Sequence, residues 1–244
     1  MGYTESHKTK GRDYHETFAA QVNPHRAMLW RLEQRALDRI VQDHLGSGNV
    51  THLDFACGTG RVMGHFVGRV SSCTGVDVSP SMMAVAREVA PGAELIEADL
   101  TTQDVLGTRL FDLITAFRFF PNAEPELRQA VVKVLARHLS PRGVLVFNNH
   151  KNRNSLPGRI SRFLGRAEPG PSMTHAEVRE LVTSGGLRIV ETVPLASLPF
   201  SENHLILPIP LLEAMERGIS GIPALTGIAQ DVVYVCSKAS RDRA

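Results

Sequence analysis

The residues best suited to chemistry sit close together in Leu53-Asp-Phe-Ala-Cys-Gly-Thr-Gly-Arg61. Gly58 and Gly60 let a backbone approach a ligand where a side chain would block it. Asp77 follows Arg61 by sixteen residues and ends the next apolar run. A carboxylate there can accept both hydroxyls of a ribose. Two kinds of ligand compete for such a turn. A nicotinamide or flavin dinucleotide asks for G-x-G-x-x-G, but Met63 holds the third glycine position and Gly64 falls one place late. A cofactor with a ribose and no phosphates needs only the tight turn and the acid.

Other reactive side chains are sparse. Cys57, Cys73 and Cys236 are odd in number and widely spaced, so they form neither a disulfide framework nor a CxxC metal site. Cys57 reads as a small packed residue rather than a nucleophile. HExxH and Cys/His pairs are missing, and no metal is expected. Tyr234-x-x-x-Lys238 fits a reductase pair formally, but on a strand its ends lie about 13 Å apart.

These residues need a frame to position them. Alternating strands and helices run from Thr51 to Asn149, with strands expected at 52–56, 74–78, 93–97, 110–116 and 143–147. Helices are expected at Asn23–Leu45, at Met82–Val89 and after Glu124. The last of these stops before Ser140-Pro-Arg-Gly, a turn signal. After the basic segment Lys151–Arg166 come a helix (Thr174–Ser184), a strand (Leu187–Pro194), a Pro-rich apolar stretch (Ser197–Ala229) and a last strand (Asp231–Cys236). Such alternation predicts a doubly wound α/β fold. Its sheet is mostly parallel and seven-stranded, its last strand antiparallel, with an N-terminal helical arm and an apolar insertion before the last strand. The whole chain, 1–244, reads as one domain: arm and lid helix 1–48, cofactor-binding core 49–150, basic segment 151–173, and a C-terminal half 174–244 that holds the insertion 197–229.

In this setting the motifs resemble those of class I S-adenosylmethionine-dependent methyltransferases. Asp54 opens the family's first motif, with Ala56 where the first of its alternating glycines would stand, then Gly58 and Gly60. Gly75-Val-Asp-Val-Ser-Pro-Ser-Met82 is similar to the second motif, which implies Asp77 on the ribose and Val78 and Met82 beside the adenine. Glu97-Ala-Asp99-Leu100 is similar to the third, which implies Asp99 at the adenine amino group with Leu100 beside it. Phe111–Phe117 and Leu139–Val146 look like the fourth and fifth strands. The resemblance covers Leu53–Phe147 in ordered succession. It implies S-adenosyl-L-methionine as cofactor, and an N-terminal lid in which Tyr14 and Arg26 close on the methionine portion, the arginine pairing with its carboxylate.

In open α/β sheets ligands sit beyond the carboxyl ends of the strands. This places an acceptor near Arg118, Phe119 and Asn149, with Phe117 on the cofactor. His150 is the candidate general base and His204, in the insertion, the runner-up. The [N/D]-P-P-[Y/F] sequence of DNA and protein-glutamine enzymes is absent. With Lys+Arg 27 against Asp+Glu 25 the formal charge is only +2, which gives no reason to expect nucleic acid as a partner. Lys151, Arg153, Arg159, Arg162 and Arg166 occur without an intervening acid. They read as a solvated face, as a site for an acidic acceptor, or as a contact with an anionic lipid surface. The insertion supplies apolar area for a pocket, a homodimer contact or a lipid-facing rim.

The expected function is O-methylation of a small-molecule or saccharide or glycolipid-type acceptor. N-methylation of a small amine, a non-catalytic cofactor-binding module and a nicotinamide reductase are the alternatives. The polar N-terminus, the absence of an 18-residue apolar run and the unpaired cysteines suggest a cytoplasmic protein.

Overall fold

The computed structural model describes residues 23–163, 165, 172–198, 207–220 and 222–239. Seven strands form one sheet: β1 (Thr51–Phe55), β2 (Ser72–Asp77), β3 (Glu94–Glu97), β4 (Phe111–Ala116), β5 (Leu139–Asn149), β6 (Leu187–Leu195) and β7 (Asp231–Lys238). Their order is β3-β2-β1-β4-β5-β7-β6. β1 to β5 pair in parallel, and β7 runs antiparallel to both β5 and β6. The chain thus has the doubly wound α/β fold with the antiparallel last strand that its sequence predicts.

Eight helical segments are described, counting one 3-10 turn. Helix α1 (Pro24–His44) starts where the Asn23 side chain accepts the Arg26 N–H, 2.9 Å away, with Pro24 in the first turn. Met28, Leu32, Leu37 and Ile40 recur at helical spacing and are all buried. With α2 (Arg61–Phe66), α1 covers one face of the sheet, packing on Val144, Val146 and Val233. The opposite core takes Val131 and Leu135 from α4 (Pro125–His138) and Val178 and Val182 from α6 (His175–Ser184). Central strands are therefore buried on both sides, which is why they read as continuous apolar runs.

Helix α3 (Pro80–Val89) packs on α2 through Gly60. That residue has φ +77°, and a Cβ on it would lie 3.1 Å from Ala86 Cα. Gly60 therefore serves helix packing. The basic segment carries a short helix, α5 (Leu156–Phe163), whose Phe163 is 90% exposed.

Two expectations need revision. Ser140-Pro-Arg-Gly is not a free turn, because β5 begins directly after α4 with Leu139 paired to Phe111. The pairing register shifts between Phe111 and Leu113, so the segment is absorbed as an irregularity within the strand. Gly143 fits there because a Cβ would come within 2.8 Å of the Phe111 carbonyl oxygen. The insertion also has structure of its own: helix α7 (Ile209–Ile219) and the 3-10 turn Pro223–Leu225. Charge as well as apolar burial docks α7. Glu213 takes Arg31 Nη2 at 2.6 Å and Arg35 Nη1 at 2.8 Å, and Glu216 accepts the Ser197 and Leu198 amides at 3.0 and 2.8 Å.

Gly60→Ala should destabilise the fold by about 1–2 kcal/mol from the left-handed backbone alone, with the Ala86 clash added. Urea denaturation should show a lower midpoint at unchanged slope.

Candidate active site

A cavity of about 1130 Å³ opens at the carboxyl ends of β1, β2 and β4. Its walls are the turn after β1, the ends of β2 and β4, the loop after β3, residues 150–151 after β5, and the first turn of α1. Among the residues singled out in the sequence, Arg26, Asp54, Ala56, Gly58, Asp77, Val78, Met82, Asp99, Leu100 and Phe117 line it. Arg118, Phe119 and His150 do so as well.

Gly60 and Asn149 are not brought to the cavity. Asn149 is fully buried and donates through Nδ2 to the Met173 carbonyl at 2.9 Å, because alternation along β5 turns it into the core below the cavity floor. Tyr14 and His204 lie outside the described residues.

The turn owes its shape to three left-handed residues at alternate positions, Ala56 (φ 52°), Gly58 (φ 54°) and Gly60 (φ 77°). Ala56 adopts at some cost a conformation that glycine takes freely. At Gly58 a Cβ would meet nothing closer than Met82 Sδ at 3.9 Å, so backbone conformation rather than space calls for glycine there. The Gly58 N–H donates to Asp77 Oδ2 at 2.7 Å and the Ser79 N–H to Asp77 Oδ1 at 2.9 Å. Both oxygens of Asp77 are thus fixed by backbone amides at the cavity wall. Asp99 is fixed similarly, its Oδ1 accepting the Thr101 amide at 2.8 Å and hydroxyl at 2.6 Å.

Asp54 is buried at the wall. Its Oδ1 accepts the Thr115 hydroxyl at 2.6 Å, while Oδ2 has no hydrogen-bond partner. Burial raises its pKa to about 7, against the opposing pull of Thr115, Arg61 and the Met63 amide. An orphaned carboxylate oxygen beside an open cavity suits a cationic ligand group. The fit to an adenosyl amino acid is therefore good at three points: Asp99, Asp77 and Asp54.

Sequence reasoning missed a buried polar network beneath the cavity. Glu33 of α1, fully buried, pairs with Arg61 Nη1 at 2.9 Å and Arg118 Nη2 at 3.5 Å. Asn148 Nδ2 bridges Glu33 Oε1 at 3.1 Å and both oxygens of Asp231 at 3.3 Å. Asn148 Oδ1 accepts the Arg118 amide at 2.7 Å, holding Arg118 at φ 61°. Arg61 also stacks over Trp30, 4.1 Å from the ring centroid. A signal for Glu33 was present: it lies in the apolar stripe of α1, four residues from both Leu29 and Leu37.

His150 departs from the expectation of a base that titrates near neutrality. Burial first, then the charges of Arg118, Lys151, Arg61 and Arg26, drive its pKa well below 6.5. Its Nδ1 is buried without a partner. Lys151 is lowered by burial and by Arg118, and its Nζ donates to Asn122 Oδ1 at 2.7 Å. Cys57 is buried and its thiol raised by that burial, as suits a packed residue rather than a nucleophile.

Residues 53–143 match the family model described as a methyltransferase domain. The chain is 29% identical over 146 residues to the dTDP-3-amino-3,6-dideoxy-alpha-D-glucopyranose N,N-dimethyltransferase of Streptomyces fradiae, covering 59% of this chain and 50% of that protein. It is 29% identical over 150 residues to the trans-aconitate 2-methyltransferase of Rhodopseudomonas palustris, covering 59% and 57%. The chain spans about half the length of the curated relatives it matches. Among solved structures, magnesium protoporphyrin IX methyltransferase from Synechocystis, crystallised with S-adenosylhomocysteine, superposes with TM-score 0.66 at 15% identity, over 97% of this chain and 98% of that one. Residues 53–143 thus resemble a methyltransferase domain, and the fold is shared with a solved methyltransferase crystallised with S-adenosylmethionine and with S-adenosylhomocysteine. No helix among the described residues is long and apolar enough to cross a membrane.

Asp231 provides a pH test of the buried network. Burial, then the charge of Glu33, raises its pKa above the ordinary 3.8. The folded protein then binds a proton more tightly than the unfolded chain, so this group's stabilisation is greatest below 3.8 and fades as pH rises through the folded value. The stability of wild type minus that of Asp231→Asn, followed by thermal denaturation, should fall over that rise and level off above it.

Proposed function

We propose that this chain is an S-adenosylmethionine-dependent methyltransferase that methylates an oxygen of a small anionic acceptor, a carboxylate above all. The observation that carries this reading is that Arg26, Arg61, Arg118 and Lys151 line the cavity together with a buried His150 whose pKa is lowered by burial and then by these charges. A histidine lowered that far is a poor proton acceptor, so a hydroxyl nucleophile would lack its base. A carboxylate needs none, and the same cations that suppress His150 attract it. A protonated amine would be repelled. The trans-aconitate relative, whose name specifies a polycarboxylate, is in keeping with this class.

The cofactor supplies a methyl group on a positively charged sulfur that departs as a neutral thioether. The chain's own work is to hold and align. In this reading Asp77 and the Gly58 turn take the ribose, while Val78, Met82, Asp99 and Leu100 take the adenine. Asp54, Ala56, Arg26 and Phe117 surround the methionine end. Arg118, Phe119 and Lys151 orient the acceptor, with His150 as a neutral imidazole beside it. Placement of this kind accounts for much of the rate gain available to a displacement.

One specific finding favours a second reading. The S. fradiae relative is named for a nucleotide-linked amino sugar. The cations would then hold the diphosphate, and a neutral amine would be the nucleophile. Glycolipid acceptors and a membrane or dimer contact have no such support.

S-adenosylhomocysteine should bind in calorimetric titration and NADPH should not. Asp77→Asn should weaken that binding by about 1.5–3 kcal/mol, the worth of hydrogen bonds to a charged group. Lys151→Ala should raise KM for polycarboxylate acceptors while leaving S-adenosylhomocysteine affinity unchanged. Methyl transfer to amino sugars alone would establish the second reading, and binding without any transfer would leave a non-catalytic module.

A further inference from the structure

Behind the cavity wall lies a line of buried polar side chains that the proposed chemistry does not use. β1 pairs with β2 and β4 so that His52 stands opposite Cys73 and Asp54 opposite Thr115. His52 and Asp54, two apart on β1, share a face of the sheet. The contacts are continuous: Cys73 Sγ to His52 Nδ1, 3.2 Å; His52 Nε2 to Thr115 Oγ1, 2.8 Å; Thr115 Oγ1 to Asp54 Oδ1, 2.6 Å. All four side chains are buried. Only Asp54 reaches the cavity, and its Oδ2 is the one atom of the line without a partner.

We propose that Cys73, His52, Thr115 and Asp54 form a two-way hydrogen-bond relay, in which the ring tautomer of His52 is tied to the proton state of Asp54. His52 and Thr115 are then positioning residues for the wall carboxylate. The reason is the limited supply of protons. The Thr115 hydroxyl has one to give. When Asp54 is ionised, Thr115 donates to it and must accept from His52. The ring proton then sits on Nε2, and bare Nδ1 accepts the Cys73 thiol. When Asp54 carries a proton on Oδ1, it donates to Thr115, and Thr115 turns to donate to Nε2. The ring proton then sits on Nδ1 and faces the Cys73 sulfur.

The thiol has a second address in that case, the Met63 carbonyl oxygen at 3.8 Å. One proton from solvent separates the two arrangements, and every donor has an acceptor in both. The ring stays neutral throughout, since burial lowers the His52 pKa to about 3, helped by His65.

The groups that bear on Asp54 are Arg61 and the Met63 amide from α2, Asp77 from the end of β2, and Thr115 from β4. Asp54 also acts on Cys57 in the turn and on Cys73 in β2. Arg61 favours the ionised carboxylate, while burial and Asp77 oppose it, which brings the transition to about 7. A cation arriving at Oδ2 should drive the relay to its Nε2–H arrangement. That ligand-driven arm rests on the cofactor reading, and the pH-driven arm does not.

The test is nitrogen NMR of the full chain labelled with 15N-histidine, with the His52 signals assigned by their loss in His52→Asn. Wild type should pass from the Nδ1–H to the Nε2–H tautomer as pH rises through about 7. Thr115→Ser should keep the passage and Thr115→Val should abolish it. Near pH 6, S-adenosylhomocysteine, which carries a primary ammonium, should convert the ring to Nε2–H. Its affinity should fall about tenfold per pH unit below the transition.

A single tautomer across the range in wild type, or a passage that survives in Thr115→Val, would overturn the relay. The wild-type titration decides the matter even if Thr115→Val does not fold. A passage with pH that ignores S-adenosylhomocysteine upholds the relay and counts against the cofactor reading.

Discussion

The hydrogen bond from the Gly58 amide to Asp77 ties the end of β1 to the end of β2, and the cavity takes its shape from that tie. It couples two requirements. The chain after β1 must bend without a side chain on the ligand side, and the carboxylate one strand over must be held still. Left-handed backbone at Ala56, Gly58 and Gly60 meets the first, and the Gly58 and Ser79 amides meet the second. A charge-assisted bond of 2.7 Å between backbone and carboxylate is stiff enough to hold both. This wall of the cavity therefore stands on backbone geometry.

The opposite side of the cavity is built from charge. Glu33 reaches from α1 under the floor and anchors Arg61 and Arg118, while Asn148 and Asp231 complete the arrangement from β5 and β7. Buried ion pairs add little net stability, but removal of one partner is costly. Their use here is orientation. They fix two guanidinium groups at the meeting point of α1, α2 and β4, and burial first, with these charges second, holds His150 uncharged. One electrostatic arrangement thus places the cations and helps to silence the nearest base.

Local signals made the core legible in the sequence. The continuous apolar runs of the parallel strands, the glycine turn and the acids at strand ends each carry their meaning within a few residues. Gly58 and Asp77 stood out in this way, and Asp54 and Asp99 through the family resemblance; all four line the cavity. What escaped depends on distance. Glu33 meets Asn148 across 115 residues and Arg61 across 28, and no periodicity links them. His150 was recognised as a cavity residue, but its chemistry was not, because the cations that reset it come from four separate elements. Asn149 does not line the cavity because a strand end alternates, and only the register shows which side chains turn into the core. The Ser140–Gly143 turn signal was real locally, yet pairing of Leu139 with Phe111 overrode it.

The central claim is that the bend after β1 and the Asp77 carboxylate together form an adenosine site. A crystal structure of the chain grown with S-adenosylhomocysteine tests it most directly. The account predicts the ligand in this cavity, its ribose diol on Asp77, its adenine along Asp99 and Leu100, and its ammonium at Asp54 Oδ2. A ligand bound elsewhere, or one whose sugar does not touch Asp77, would contradict it.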